Sequence, residues 1–203
     1  MVNILIDYII RNKKNFIVLT ILFCIGISIG IFFINNSNTN DKEELNIYIE
    51  DLINKVKNDE QSPNKIELLG LSLKENFISI LIIWLLGCTV IGGIFIYVAI
   101  IYKGFSIGFT IAAIIAVLGV KEGTLVVVAS LLMQNIIFIP AMFLVAENGM
   151  KLYKGIYTKC INLKEEVIRY TVIMLISIML SSIASLIEVY ISTNLLIFLK
   201  EIL

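Results

Sequence analysis

The sequence predicts an all-α integral membrane protein with about five transmembrane helices, plus an extracytoplasmic amphipathic helix after the first of them. Hydrophobic residues make up 59% of the 203 residues, and the mean hydropathy is +0.95. Apolar runs long enough to cross a bilayer alternate with shorter charged or polar stretches. We therefore expect a single membrane domain, with no room for a catalytic domain of ordinary size.

The first span is predicted at about 15–34. Basic residues precede it, as they do in a signal peptide: Arg11, Lys13 and Lys14. The apolar run is longer than the core of a typical signal peptide, and an asparagine-rich stretch follows it in place of a small-residue cleavage site. We therefore expect a first span that is not cleaved.

The 35–76 region is predicted to be an extracytoplasmic loop with an amphipathic helix at 41–57. Apolar residues recur there at steps of three and four, which is typical of such a helix: Leu45, Tyr48, Ile49, Leu52, Ile53 and Val56. The helix could pack on its own bundle, lie on the membrane or bind a partner, although its acidic face disfavours anionic lipid. A second short helix, about 64–75, is expected to lead into the next span.

The remaining spans are predicted at about 77–102, 105–120, 124–146 and 170–190. Lys103-Gly104 is read as a tight turn between the second and third spans, and Lys121-Glu122-Gly123 as the turn into the fourth. The 147–169 loop is rich in basic residues, which concentrate on the cytoplasmic side of membrane proteins. We therefore expect a cytoplasmic N-terminus and an extracytoplasmic C-terminus.

The composition argues against catalysis, metal binding and nucleic-acid binding. The chain has no histidine, which is the commonest general base and metal ligand, and its formal net charge is zero. Cys24, Cys88 and Cys160 have no paired spacing. We predict no catalytic, metal-binding or cofactor-binding residues, so the chain is not expected to be an enzyme, and membrane lipids are its expected surroundings.

A pair of amides in the fourth span, Gln134 and Asn135, is the first candidate feature, because a side-chain amide in hydrocarbon needs a hydrogen-bond partner. The pair could form a polar site or pathway, or it could bond to two neighbouring helices, since adjacent helical residues point about 100° apart. Pro140 removes a backbone donor and leaves the carbonyl of Ile136 without its helical partner. We expect a bend there.

The other candidates are glycines, one tryptophan and two charged residues: Trp84, Gly87, Lys103, Gly104, Gly108 and Glu188. Gly26-x-x-x-Gly30 and Gly104-x-x-x-Gly108 allow close helix contact, either within one chain or in a homodimer. Lys103 is expected to anchor at the headgroups. Glu188 ends an apolar run that nearly crosses the bilayer, so we expect it at the outer interface beside Tyr190.

Three stretches together resemble the stage II sporulation protein M family: WLLGCTVIGG (84–93), YKGFSIGFT (102–110) and QNIIFIP (134–140). The resemblance implies a multi-pass membrane protein of endospore-forming bacteria that works at the sporulation septum and the engulfing membrane. It also implies a non-catalytic anchor for two extracytoplasmic cell-wall hydrolases, a lytic transglycosylase and an amidase. The residues themselves leave one alternative open, a transporter or permease-like subunit with a polar site around Gln134 and Asn135.

Overall fold

The computed structural model describes residues 12–36, 47, 65–89, 91–128, 131, 133–158 and 162–192. The described part holds five long helices: α1 (Lys13–Asn35), α2 (Lys65–Gly87), α3 (Gly92–Val127), α4 (Met133–Thr158) and α5 (Leu163–Ile187), which a π-helical turn (Glu188–Ser192) extends. Each contains a segment long and apolar enough to cross a membrane, which confirms the predicted all-α membrane fold. The predicted helix at 41–57 lies outside the described residues except at residue 47, and none of its six apolar residues is described.

Helices α1 and α3 pack with their main chains almost in contact. A Cβ atom added at Gly26 would overlap the carbonyl of Ile101, and one added at Gly104 would overlap the carbonyl of Phe23. Gly30 and Gly108 meet the facing backbone in the same way. Both small-xxx-small patterns are therefore used within one chain, where the absence of side chains allows the closest approach.

These contacts also show that α1 and α3 run in the same direction, because residue numbers rise together along both helices. Helix α4 runs the other way against α1, since the Phe23 and Phe143 rings meet at 5.8 Å while Asn15 reaches Glu147 at 3.4 Å. Helix α5 is antiparallel to α2, because Tyr170 near the start of α5 bonds Ile83 near the end of α2, whereas Ser185 near the end of α5 bonds Asn76. Direction thus alternates along the chain, and the start of α1 and the end of α5 lie at opposite ends of the bundle.

Helix α4 is the centre of the bundle. Residues 141–150 are all buried, although a surface helix would bury only one stripe. Its neighbours supply the large side chains around it, including Leu19, Ile80, Ile96 and Tyr170. The outward faces of the other helices carry exposed apolar side chains, such as those at Ile17, Ile21, Ile25 and Ile29 on α1, as expected for surfaces that contact lipid.

The predicted turn at Lys103-Gly104 is wrong. Helix α3 continues through both residues, and the chain reverses at 88–91 instead. The hydroxyl of Thr89 donates to the carbonyl of Leu86 at 2.8 Å, and the N–H of Gly92 donates to the carbonyl of Thr89 at 3.2 Å. The second span therefore ends at Gly87 and the third begins at Gly92, in place of the predicted 77–102 and 105–120. The expected 64–75 helix is the first part of α2.

A second reversal interrupts α3 near its end. Gly119 has φ 79° and ψ 170°, a conformation that favours glycine because it has no Cβ. A Cβ at Gly123 would lie 2.8 Å from the Cα of Ile115, although eight residues of straight helix span about 12 Å. The segment after Gly119 therefore folds back on the preceding helix, and the turn precedes the predicted Lys121-Glu122-Gly123.

We predict that Gly26→Ala lowers the stability of the purified protein in detergent by about 1–3 kcal/mol or more, because the added methyl must push two backbones apart. Gly70→Ala is the matched control, since nothing lies within 4 Å of its Cβ position. Alanine there is expected to be neutral or to stabilise by up to about 1 kcal/mol. Thermal unfolding followed by circular dichroism measures both, and equal transitions for the two variants would contradict the close packing.

Candidate functional site

Polar side chains gather where α2, α4 and α5 meet. We call this set the polar layer: Ser72, Asn76, Gln134, Ser185 and Glu188. The amide of Asn76 donates to the hydroxyl of Ser185 at 2.9 Å, the hydroxyl of Ser72 donates to the carboxylate of Glu188, and Gln134 approaches Ser72 at 3.4 Å. Each bond joins two helices, so the polar layer satisfies its buried groups within the chain.

Helix geometry explains why these residues meet. Ser72 and Asn76 are four residues apart on α2 and so share a face. Ser185 and Glu188, three residues apart, share a face at the end of α5. Because α2 and α5 are antiparallel, the order of the pairs is reversed, and Asn76 meets Ser185 while Ser72 meets Glu188.

The two amides of the fourth span make different contacts. Gln134 connects α4 to Ser72 of α2, as a helix-packing amide would. Asn135 is buried but donates to the carbonyl of Leu131 at 2.7 Å, within its own segment of chain. This local bond replaces the one that we expected to a second neighbouring helix. Pro140 lies inside α4, which continues through it to Thr158.

Glu188 and Tyr190, expected side by side at the outer interface, point in different directions. Tyr190 is exposed, whereas the half-buried Glu188 turns to α2 and accepts the Ser72 hydrogen bond. The π-helical turn begins at Glu188, so the helix changes its pitch at the residue that accepts the hydrogen bond from α2.

A groove opens between α2 and α3 beside the polar layer. Its volume is about 310 Å³. Two helical stripes line it, Glu75, Ile78, Ser79, Ile82 and Ile83 from α2 and Ala99, Tyr102, Lys103 and Ser106 from α3, with Met142 of α4 at the base. We call it the lateral groove, because its rim residues Glu75, Ile78 and Tyr102 are exposed while Ile83 and Met142 are buried.

Lys103 lies in this groove and is not the headgroup anchor that we expected. It sits eleven residues into α3, about 16 Å from the start of the helix and close to half of a ~30 Å hydrocarbon core. Its ammonium lies 5.0 Å from the centre of the Phe138 ring, a cation–π contact. Among the described residues it forms no ion pair, although Glu75 and Glu188 lie within electrostatic range.

Glu75 faces Lys103 across the lateral groove, and sequence reasoning misses it. It lies twelve residues before the end of α2, about 18 Å along the axis, and its side chain is exposed. Its carboxylate has no hydrogen bond to any residue that the structure describes. The predicted outer loop includes it, together with Ser72 and Asn76, because Lys74-Glu75 breaks the apolar run. The helical pattern of 64–75, continued into the span, is the signal that could have found it.

The other end of the bundle holds a separate charged contact. Glu147 is fully buried and pairs with Lys151, one turn along α4, at 2.9 Å. Nearby, the phenol of Tyr170 donates to the carbonyl of Ile83 at 2.9 Å. Gly87 allows this approach, since a Cβ there would collide with the Tyr170 hydroxyl. The Tyr170 hydrogen bond fastens α5 to α2, and allowing it is a structural role for Gly87.

Trp84 lies one turn before Gly87 and packs partly buried against the core. Its indole N–H has no partner among the described residues. No group of three His, Cys, Asp or Glu residues in the described ranges could hold a metal ion. The lateral groove offers charged and hydroxyl side chains, Glu75, Lys103, Ser79, Ser106 and Tyr102, for binding.

In the described part of the chain, five apolar helices alternate in direction and four of them surround the buried central helix α4, which defines a multi-pass α-helical membrane protein. Within that class the chain belongs to the Stage II sporulation protein M family, whose sequence model matches residues 19–193. The match includes all of α2 to α5 and most of α1, and it confirms the suspected resemblance. No curated protein and no solved structure matches the chain significantly. The chain is thus a sporulation membrane protein.

We predict that Asn76→Ala and Ser185→Ala are coupled in a double-mutant cycle by about 0.6–1.7 kcal/mol, because each removes the same interhelical bond. Ser182→Ala is the matched control for the serine, since its hydroxyl bonds the carbonyl of Ile178 in its own helix. Asn76→Ala with Ser182→Ala is expected to be additive. Unfolding in mixed micelles measures the coupling, and additivity in the first cycle would show that the Asn76 bond does not form.

Proposed function

We propose that this chain is a non-enzymatic membrane scaffold. It anchors and localises septal peptidoglycan hydrolases, a lytic transglycosylase and an amidase, during engulfment in sporulation. The observation that carries the proposal is the family match over residues 19–193. The lateral groove supports it, because its charged and hydroxyl side chains suit recognition.

We also propose that the N-terminus is cytoplasmic and the C-terminus extracytoplasmic. The start of α1, the end of α4 and the start of α5 lie at the same end of the bundle, and basic residues concentrate there: Lys13, Lys14, Lys151, Lys154, Lys164 and Arg169. The positive-inside rule assigns that end to the cytoplasm.

The orientation predicts opposite labelling of two exposed positions. In a cysteine-free background, Lys121→Cys, just after the Gly119 turn, reacts in intact cells with a membrane-impermeant maleimide. Lys154→Cys, near the end of α4, reacts only after the cells are opened. The reverse pattern would invert the topology, and labelling of both positions on one side would contradict five crossings. The parent without cysteines is the control for background labelling.

The scaffold role predicts that both hydrolases co-purify with the tagged chain from sporulating cells in mild detergent. Without the chain, both hydrolases are expected to be lost from the septum, as seen by fluorescence microscopy. An unrelated five-span protein with the same tag controls for capture through detergent micelles. Retention of neither hydrolase, together with unchanged septal localisation in the deletion strain, would rule the role out.

The transporter alternative requires a polar cavity that reaches Gln134 and Asn135. The lateral groove includes neither residue in its lining, and both amides bond within the chain. The contacts of the amide pair therefore support packing and give no support to a substrate site there.

A further inference from the structure

The lateral groove holds two charged side chains, Glu75 and Lys103, on a side of the bundle that faces the membrane. Glu75 and Lys103 both lie near the middle of their helices, about 16–18 Å from the helix ends that meet at the 88–91 turn. The floor, formed by Ile83 and Met142, is buried and closes the groove toward the bundle. An occupant therefore enters from the lipid.

Charged groups at this depth are costly unless they are paired or hydrogen-bonded, and they mark functional positions in membrane proteins. Glu75 has no hydrogen bond or ion pair from its carboxylate to the described residues, and Lys103 rests on an aromatic face. Lipid acyl chains carry no donor or acceptor. They fill such a groove without satisfying either group, whereas a polar side chain from another helix satisfies both.

The shape of the groove suits a helix. Glu75, Ser79 and Ile82 lie on one face of α2, and Ala99, Lys103 and Ser106 lie on one face of α3, each at helical spacing. The small side chains Ser79, Ala99 and Ser106 allow a third helix to approach closely. A volume of about 310 Å³ also leaves room for an inserted side chain, since an engineered cavity of about 150 Å³ holds benzene.

The charges select the side chain that is inserted. A carboxamide donates through its NH₂ group and accepts through its oxygen, so one residue can donate to Glu75 and accept from Lys103. A lysine would complement only Glu75, and an aspartate only Lys103, and each would leave the groove with a net charge in a low-dielectric region. The groove lining holds one carboxylate and one ammonium, so an asparagine or glutamine leaves the net charge of that lining at zero, while Glu188, outside the lining, accepts from Ser72.

We propose that the lateral groove receives a transmembrane helix of a partner protein, which inserts an asparagine or glutamine side chain between Glu75 and Lys103. The inference deepens the proposed scaffold function, on which it rests, because it names the surface that holds the partner and the chemistry that recognises it.

The test uses the full chain in liposomes with synthetic membrane helices of about 21 residues, built from leucine and alanine with lysine at both ends. One peptide carries a central asparagine and its matched control a central leucine. A photo-crosslinking amino acid replaces Tyr102, which is 69% exposed at the groove rim. In a control protein it replaces Ile25, an exposed residue at similar height on α1.

We expect about three- to thirty-fold more crosslinking of the asparagine peptide than of the leucine peptide at position 102. At position 25 the two peptides should crosslink equally. Glu75→Leu is expected to remove the preference, and Ser106→Leu, which fills the groove without changing its charge, should lower the yield for both peptides. Circular dichroism and gel filtration of each variant establish that it is folded.

Equal crosslinking of the two peptides at position 102, or a preference that survives Glu75→Leu, would overturn the inference. Crosslinks mainly to a second copy of this chain would also overturn it, since the occupant would then be the chain itself. The outcome is separable from the scaffold role. Failure of the hydrolases to co-purify with the wild-type chain rejects that role alone, whereas absence of peptide preference with normal co-purification rejects only the groove.

Discussion

The backbone contact between α1 and α3 is the constraint on which the rest of the bundle depends. Gly26 and Gly30 face Gly104 and Gly108, and the two main chains lie so close that a single methyl group at Gly26 or Gly104 would overlap the opposite carbonyl. Between membrane helices there is little hydrophobic driving force, so such packing contributes much of the stability. The contact sets the relative height of α1 and α3 and makes them parallel. Helix α2, which connects to α3 by a short turn, must then run the other way.

The same contact determines where Lys103 points. Gly104 must face α1, and an adjacent residue on a helix points about 100° away. Lys103 is therefore turned away from α1, toward α2 and α4, where its ammonium lies over Phe138. A glycine that packs directly against the α1 backbone thus directs its charged neighbour into the lateral groove. The position of Lys103 follows from the packing of α1 with α3.

The sequence was sufficient for the fold class, the number of spans and the use of both glycine patterns in close packing. It was insufficient at Lys103-Gly104 and at Lys74-Glu75, for one physical reason. A charge in an apolar run usually marks its end, because charged groups belong in water. Here Lys103 lies over an aromatic ring and Glu75 lines a groove, so the helices continue through both. The direction in which Lys103 points depends on the packing of α3 against α1, and local sequence does not contain that information.

Two polar regions of the bundle, the polar layer and the lateral groove, differ in how they use their hydrogen-bonding groups, and the difference matters for recognition in a membrane. In the polar layer Asn76 bonds Ser185 and Ser72 bonds Glu188, so these groups fasten the helices of one chain.

Exposed apolar faces contact a lipid chain and an apolar helix on similar terms, because neither offers polar groups. Discrimination between partners therefore comes from close packing or from polar groups that lipid leaves unsatisfied. The glycine surfaces of α1 and α3 are already used against each other. The lateral groove combines small residues that permit close approach with an exposed carboxylate at Glu75, so it meets both requirements for selective contact with another membrane helix.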